Sequence, residues 1–558
     1  MLAPPPNITG TLHLGHAMTI SIQDMYARWY RMKGYSVNWI PGTDHAGIST
    51  QVVVEKQLQK EKNKKMGASM NWDQEYFTMD KSHSKVVEEA FIQLFNEGMI
   101  YRDTKMVNWC CELKSVISDI EVDRVELSQP TKIKLPGIKN QQTLGVMHEI
   151  SYKVVDSDNS CIGNLVVGTT RPETVLGDMA IAVNSKDERY KVFVKFHGKY
   201  AVHLISGDLI PIIVDDILVN IDFGTGAVKV TPSHDIADYE CALRHNLSLR
   251  QVIGLDGKVF CEIPSLSKYN GLTRWDARRQ IVDHIKSIGA YIGNNIESKK
   301  AFKTSIALCS RSGDIIEPML IPQWYLKMSN MSQNAMNLVK NKEIQILPDK
   351  FISQWNMWLE NTQDWCISRQ LWWGHQIPVY KVLPKSSNTV DTPSDINFKE
   401  FWVAANSEEK ATEIALKKLE NSYPRILSFD ITISRDHDVL DTWFSSGLLP
   451  LTVFNNQSIS RKSISLDNNK ALSTLLETGN DILFFWVARM VMLCSHFSGV
   501  PPFSKVFLHS MIRDSMGRKM SKSLGNVIDP LSVINGTELS VLKENLNSSF
   551  LSDKELKA

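Results

Sequence analysis

Apolar positions recur at helical spacing from Ala17 to Lys33, where Ile20, Tyr26, Trp29 and Tyr30 share one side, and the run stops at Gly34. Glycine there tolerates the left-handed backbone that closes a helix. Ser36–Ile40 is a short apolar run ended by Pro41-Gly42, which predicts a strand. Helical patterns return over Thr50–Lys65 and Ser84–Asn96, the second stopped at Gly98. Strand, turn and helix alternating in this way predict an α/β fold with a parallel, doubly wound sheet.

From about Gln129 to Asn295 the pattern changes. Short β-branched strands are predicted at Leu165–Thr170, Ile210–Val214 and Ala227–Thr231, separated by Gly, Asp and Pro turns. Two helices interrupt them, near Ile236–His245 and Arg274–Ile288. From Pro318 the aromatic-rich α/β pattern returns and continues to Pro530. The expected division is therefore 1–128, a strand-rich insert over 129–317, a resumed first domain over 318–530, and a short following segment, 531–558.

With 43% hydrophobic and 22% charged residues, the 558-residue chain has the composition of an ordinary globular protein. Its longest apolar run, Ile482–Ala488, is too short to span a bilayer and meets Arg489, so no membrane partner is expected. No targeting segment is visible at the N-terminus. A net charge of +1 excludes a generally basic nucleic-acid binder and leaves only local patches for RNA. The run Lys60–Lys65 is such a patch, or simply a solvated helix face. Eight cysteines without a C-x-x-C pair argue against a disulfide framework and a structural zinc, and suit a reducing compartment.

Two distant strings bring chemistry. In PPPNITGTLHLGH, Pro4 to His16, glycines allow backbone to approach a ligand and a helix then opens, its amide end favouring phosphate. His13 and His16 fall on one helical face around Gly15 and can donate to phosphate oxygens, or merely cap the helix. In GRKMSKSLGNVIDP, Lys519 and Lys522 are point charges able to follow a pyrophosphate, with Met520, Ser521 and Ser523 completing a loop bracketed by Gly517 and Gly525. Alone it would read equally as a basic surface loop. Together the strings predict a nucleotidyl-transfer site, with His13, His16, Lys519 and Lys522 as its catalytic groups.

With these strings at opposite ends, and with PGTDHAGISTQVVVEK, NWCCELKSVISDIEVD, DWCISRQLWWGHQIPVY, DVLDTWFSSGLLPL and ETGNDILFFWVARMVM between them, the chain resembles the class I aminoacyl-tRNA synthetases over nearly its whole length, and within them the valine-specific members. GTDHAGI is the discriminating string, since isoleucine- and leucine-specific relatives usually carry a G-W-D-type sequence there. The resemblance implies a Rossmann-like catalytic domain split by an inserted editing domain, and a helical stem beginning after Pro530. It implies ATP and valine as substrates, Mg²⁺ carried on the phosphates, and tRNA(Val) as the acyl acceptor. It also implies that Asp44 pairs with the substrate ammonium. Pro5, Asn7 and Ile8 would line one wall of the slot, and Trp443, Ile482 and Trp486 the apolar side. Ile482 and Trp486, at i and i+4, would share a helix face, although the residues alone favour core packing for both tryptophans.

A valine slot cannot strongly reject threonine. For valine-specific synthetases as a class, binding alone discriminates about 10²-fold, and a second, hydrolytic site supplies the rest. By resemblance, TTRPET (Thr169–Thr174) and GAVKVTPSHD (Gly226–Asp235) form that second site, with Arg171, Thr174, Lys229, Thr231, Asp235 and Asp238 lining it and Asp238 holding the ammonium. Strand alternation would place Lys229 and Thr231 on one face, and Asp235 and Asp238 would share a face of the following helix.

The chain also departs from that family. Only Met1, Leu2 and Ala3 precede the prolines where relatives have a full strand, and a longer helical stretch normally lies between Lys65 and Met66. Asn480 stands where cytosolic relatives often carry histidine. The sequence ends at Ala558 without an anticodon-binding domain. The expectation is an incomplete product that retains the residues for activation and editing, of cytoplasmic rather than mitochondrial type. The competing readings are an impaired RNA-binding or regulatory fragment and an isoleucine-specific enzyme.

Overall fold

The computed structural model describes residues 1–5, 13–45, 67–138, 140–190, 199–222, 224–295, 303–385, 399–423, 430–454, 471–514, 517, 520 and 526–547. The helix expected over Thr50–Lys65 lies outside them, as does the junction at Lys65-Met66. The chain forms two compact units, Met1–Asp103 with Gln323–Ala558, and Thr104–Pro322.

In the first unit, Ser473–Gly479 and Gln345–Leu347 each pair in parallel with Phe503–His509. Leu2 makes parallel bridges to both Leu476 and Ile40, so it stands between them in the sheet. The strand expected over Ser36–Ile40 is reduced to that bridge. Neighbouring backbone still ties its second half: the Ile40 N–H donates to the Met1 carbonyl and the Ile40 carbonyl accepts from Ala3, while the Asn38 and Trp39 carbonyls accept from the Met1 ammonium and the Asn71 N–H. Helix Leu14–Met32 begins three residues earlier than its apolar pattern, because His13 caps it. Helix Lys81–Asn96 buries Val86, Val87, Ala90, Phe91 and Leu94, spaced at three and four residues as an amphipathic helix requires.

The helical run Asn480–Ser498 supplies much of this unit's core. It is long and apolar enough to cross a membrane, a property that a count of consecutive apolar residues misses because Arg489 interrupts it. In the fold it is mostly buried, and the Arg489 guanidinium lies 3.8 Å from the Trp365 ring centroid. That is the burial of a core helix.

The second unit is built on a seven-stranded mixed sheet. Its order is Ala227–Val230, Ala180–Val183, Leu209–Val214, Tyr200–Val202, His148–Val155 and Tyr291–Asn294, with Cys161–Thr169 also paired to His148–Val155. Only Ala180–Val183 and Leu209–Val214 run parallel. Inward Ile, Val and Leu residues of the sheet pack with Ala277, Ile281 and Ile285 of helix Arg274–Ser287.

Candidate active sites

His13 and His16 begin the first helix and cap it reciprocally. The Gly15 N–H donates to His13 Nδ1 at 3.1 Å, and the His13 N–H donates to His16 Nδ1 at 3.2 Å. Accepting through Nδ1 puts the proton of each neutral ring on Nε2. Capping thus engages the Nδ1 atom of each ring. The rings lie 4.1 Å apart, and a Cβ on Gly15 would come within 2.8 Å of the His13 ring, which is why glycine stands between them. Leu14 donates its N–H to the carbonyl of Ile528 at 3.1 Å, so the end of the second string meets the helix start. Within the second string, Met520 is described and donates to the Ile512 carbonyl, while Lys519, Ser521, Lys522 and Ser523 lie outside the described residues.

Behind that helix start runs a buried polar chain that the sequence did not suggest. Thr19 Oγ1 is 3.0 Å from His509 Nε2, and His509 lies 3.5 Å from Glu477 Oε1. Gln23 donates to Glu477 Oε2 and accepts from the Trp39 indole. Burial pushes the Glu477 carboxyl up to about 8, against the pull of the Gln23 amide. It holds its proton at neutral pH, and so costs less to bury than a charge would.

The predicted amino-acid residues converge through Ser446. Its hydroxyl donates to Asp44 Oδ2 at 3.0 Å, and its carbonyl accepts from the Trp486 indole at 3.1 Å. Asp44 and Trp486 are both buried, whereas Trp443, Ile482 and Pro5 are half-buried; Asn7 and Ile8 lie outside the described residues. The helix Thr442–Gly447 that carries Trp443 and Ser446 is fixed at its start by Asp441. That carboxylate also takes the Trp365 indole and the Arg369 guanidinium. The i, i+4 argument for Ile482 and Trp486 fails in detail. Ile482 ends a 3₁₀ turn and Leu483–Ala488 is a π-turn, a wider winding to which α-helical spacing does not apply. A Cβ on Gly42 would lie 2.1 Å from the Tyr76 ring, so only glycine lets that ring lie against the strand Gly42–Thr43 that leads into Asp44.

In the second unit Lys229, Thr174 and Thr231 meet. The Lys229 ammonium donates to Thr174 Oγ1 (2.9 Å), Thr231 Oγ1 (2.6 Å) and Asp178 Oδ1 (2.9 Å), which uses all three hydrogens. Asp178, fully buried, also accepts from Thr231 and from the Tyr152 hydroxyl. Its signal in the sequence was weak, a lone acid four residues past Thr174. Asp238 accepts from the Thr231 N–H at 2.7 Å, and burial, followed by repulsion from Asp235, pushes it up to about 7. Asp235 does not share a helix face with it. Asp235 is the N-cap, outside the helix, and its carboxylate takes the N–H groups of Ala237 and Asp238. Arg171 turns toward the His234 carbonyl and Glu317, in a buried network with Glu173, Arg274 and Arg278. Its guanidinium is raised despite desolvation because Glu317 and Glu173 surround it.

Among the described residues one grouping has metal-ligand spacing, Asp215 with Cys241 and His245. There the Arg244 guanidinium already balances the carboxylate, with contacts of 2.8 and 3.0 Å.

The family model for tRNA synthetases class I (I, L, M and V) matches residues 1–66 and 57–556. Over its whole length the chain is 43% identical to a probable mitochondrial valine–tRNA ligase of Dictyostelium discoideum, covering 55% of that protein. It is 42% identical to a mitochondrial valine–tRNA ligase of Arabidopsis thaliana, covering 51%, and 44% identical to the valine–tRNA ligase of Homo sapiens, covering 44%. The chain thus spans about half the length of the curated relatives it matches. With an α/β unit that brings the ends of its two signature strings together, the chain belongs to the class I tRNA synthetases of the isoleucine, leucine, methionine and valine group.

Proposed function

We propose that this chain activates valine with ATP and passes the valyl group to tRNA(Val), as the names of its relatives suggest. The supporting observation is the Asp44–Ser446–Trp486 arrangement. One residue holds a carboxylate on its hydroxyl and an apolar indole on its carbonyl, so a cation-pairing group and a hydrophobic wall are built at one place. A small aliphatic amino acid needs that combination, with its ammonium on Asp44 and its side chain against Trp486, Trp443 and Ile482. The carboxylate of valine then attacks the α-phosphate in line. No protein nucleophile is required, and positioning with charge stabilisation carries the step. His13 and His16 offer Nε2–H donors at the helix start, while Lys519 and Lys522 follow the departing pyrophosphate, with ATP entering as its Mg²⁺ complex.

The second unit is proposed to hydrolyse threonine misattached to tRNA(Val). Asp238 would hold the ammonium, and the Thr174–Lys229–Thr231 cluster would face the side chain. With the hydrogens of the cluster committed to one another, the second lone pairs of Thr174 Oγ1 and Thr231 Oγ1 would accept the substrate hydroxyl, a bond that valine cannot make.

The test is ATP–pyrophosphate exchange by the 558-residue chain with valine, isoleucine, leucine, methionine and threonine in turn. Exchange is expected with valine, with threonine a weak second. A faster rate with isoleucine, or none with any of them, overturns the proposal.

A further inference from the structure

Resting on the reading of Asp44 as the ammonium ligand, we infer that Thr78, which no motif singled out, is the positioning residue that aims this carboxylate. Thr78 is completely buried on the segment after Tyr76–Phe77. Its backbone is fixed on two sides. The Thr78 N–H donates to the Thr43 carbonyl at 3.2 Å, and the Thr78 carbonyl lies 2.8 Å from His375 Nε2. The hydroxyl oxygen therefore has a set place, with three polar neighbours among the described residues: the His45 N–H at 2.8 Å, His45 Nδ1 at 2.7 Å and Asp44 Oδ1 at 3.0 Å.

Counting hydrogens settles the direction of each bond. A hydroxyl has one hydrogen and two acceptor lone pairs. The His45 backbone N–H can only donate, so it takes one lone pair. Asp44, as a carboxylate, can only accept, so it takes the single hydroxyl hydrogen. His45 Nδ1 must then carry its proton and donate to the second lone pair. This assigns the Nδ1–H tautomer, with the same proton 3.2 Å from Asp44 Oδ1 by its nitrogen. Every capacity of the Thr78 oxygen is used once, and none is left for rotation.

The outcome is a carboxylate held at both oxygens. Thr78 fixes Oδ1 and Ser446 fixes Oδ2. A carboxylate held this way meets an incoming ammonium without first reorienting, so the benefit belongs to amino-acid binding and not to ATP.

The experiment compares Thr78→Val, Thr78→Ser and the unaltered chain in pyrophosphate exchange, with melting temperatures recorded for all three. Thr78→Val keeps the volume and removes the hydroxyl. It is expected to raise KM for valine about tenfold or more while KM for ATP changes less than about twofold. Thr78→Ser, which keeps the hydroxyl, is expected to restore valine KM. An unchanged valine KM in Thr78→Val overturns the inference. So does a parallel rise in both KM values, or failure of serine to rescue. Should Thr78→Val melt below the assay temperature, Thr78→Cys replaces it, since a thiol is a weak donor of similar size. An unaltered valine KM in that variant is equally fatal. Failure of the unaltered chain to exchange with valine overturns the reading of Asp44 itself, and is distinguished by appearing before any variant is made.

Discussion

Lys229 donates to Asp178 at 2.9 Å in a place where neither side chain reaches solvent appreciably, and its other two hydrogens go to Thr174 and Thr231. The lysine is therefore part of the wall of the proposed editing pocket, neutralised from behind, while Asp238 remains to meet a cation. A buried pair like this is costly to break from one side, because the surviving charge loses its partner. Lys229→Met is expected to lower stability by about 3 to 5 kcal/mol. Denaturant titration should show that loss, and pairing it with Asp178→Leu should recover part of it.

Asp238 makes the second prediction. Burial and Asp235 push its carboxyl up to about 7, so in the empty protein it is largely protonated below neutrality. An ammonium needs the ionised form. Hydrolysis of Thr-tRNA(Val) is expected to rise as pH increases through about 7 and to level off above it. The stability effect has the opposite sign. A raised folded value favours the fold fully below the unfolded carboxyl value of about 4, and that advantage is lost as pH climbs through 7. A pH profile of deacylation for the unaltered chain and for Asp238→Asn should differ on the acidic limb, and a profile flat from pH 6 to 8 would refute the role.

Glu477 titrates higher still, at about 8, through burial alone. Its contribution to folding is present below about 4.5 and disappears as pH rises past 8. Glu477→Gln copies the protonated carboxyl without its ionisation. The two proteins are expected to melt together near pH 6, and the variant should melt higher above pH 8.5. Thermal unfolding across that range is the measurement.

The double use of His13 can be separated. His13→Asn retains an N-cap side chain, whereas His13→Ala removes it at a cost of about 1 kcal/mol. Pyrophosphate exchange should fall in both variants, but only alanine should lower the melting temperature. Exchange surviving in His13→Asn would leave His13 with capping alone.

Short-range signals in the sequence located the regular elements well. Helix Ile236–His245 has the extent its apolar spacing and terminal residues predicted, and Arg274–Ser287 falls one residue short of its expectation. What failed depended on distant neighbours. Ser36–Ile40 has strand composition, yet among the described residues its only ladder contact is the one Leu2 provides at Ile40. The six residues Leu483–Ala488 read as α-helix and wind as a π-turn. Thr78 and Glu477 gave no signal at all, and Asp178 only a weak one. Each is an unremarkable polar residue in sequence and becomes a hub only once residues far along the chain are packed around it. His13, by contrast, was legible as a cap, because capping depends on its own turn.

Asn480–Ser498 has a consequence for how the protein is made. This helix, the one apolar span of that length among the described residues, emerges from the ribosome before the parallel strand Phe503–His509 that helps enclose the same core. During that interval the nascent chain displays a segment that insertion machinery reads by hydropathy, and Arg489 is the one charge in its middle that lowers the affinity for lipid. The arginine that stacks on Trp365 in the finished fold is thus also the charge that makes the same segment a poorer match for lipid.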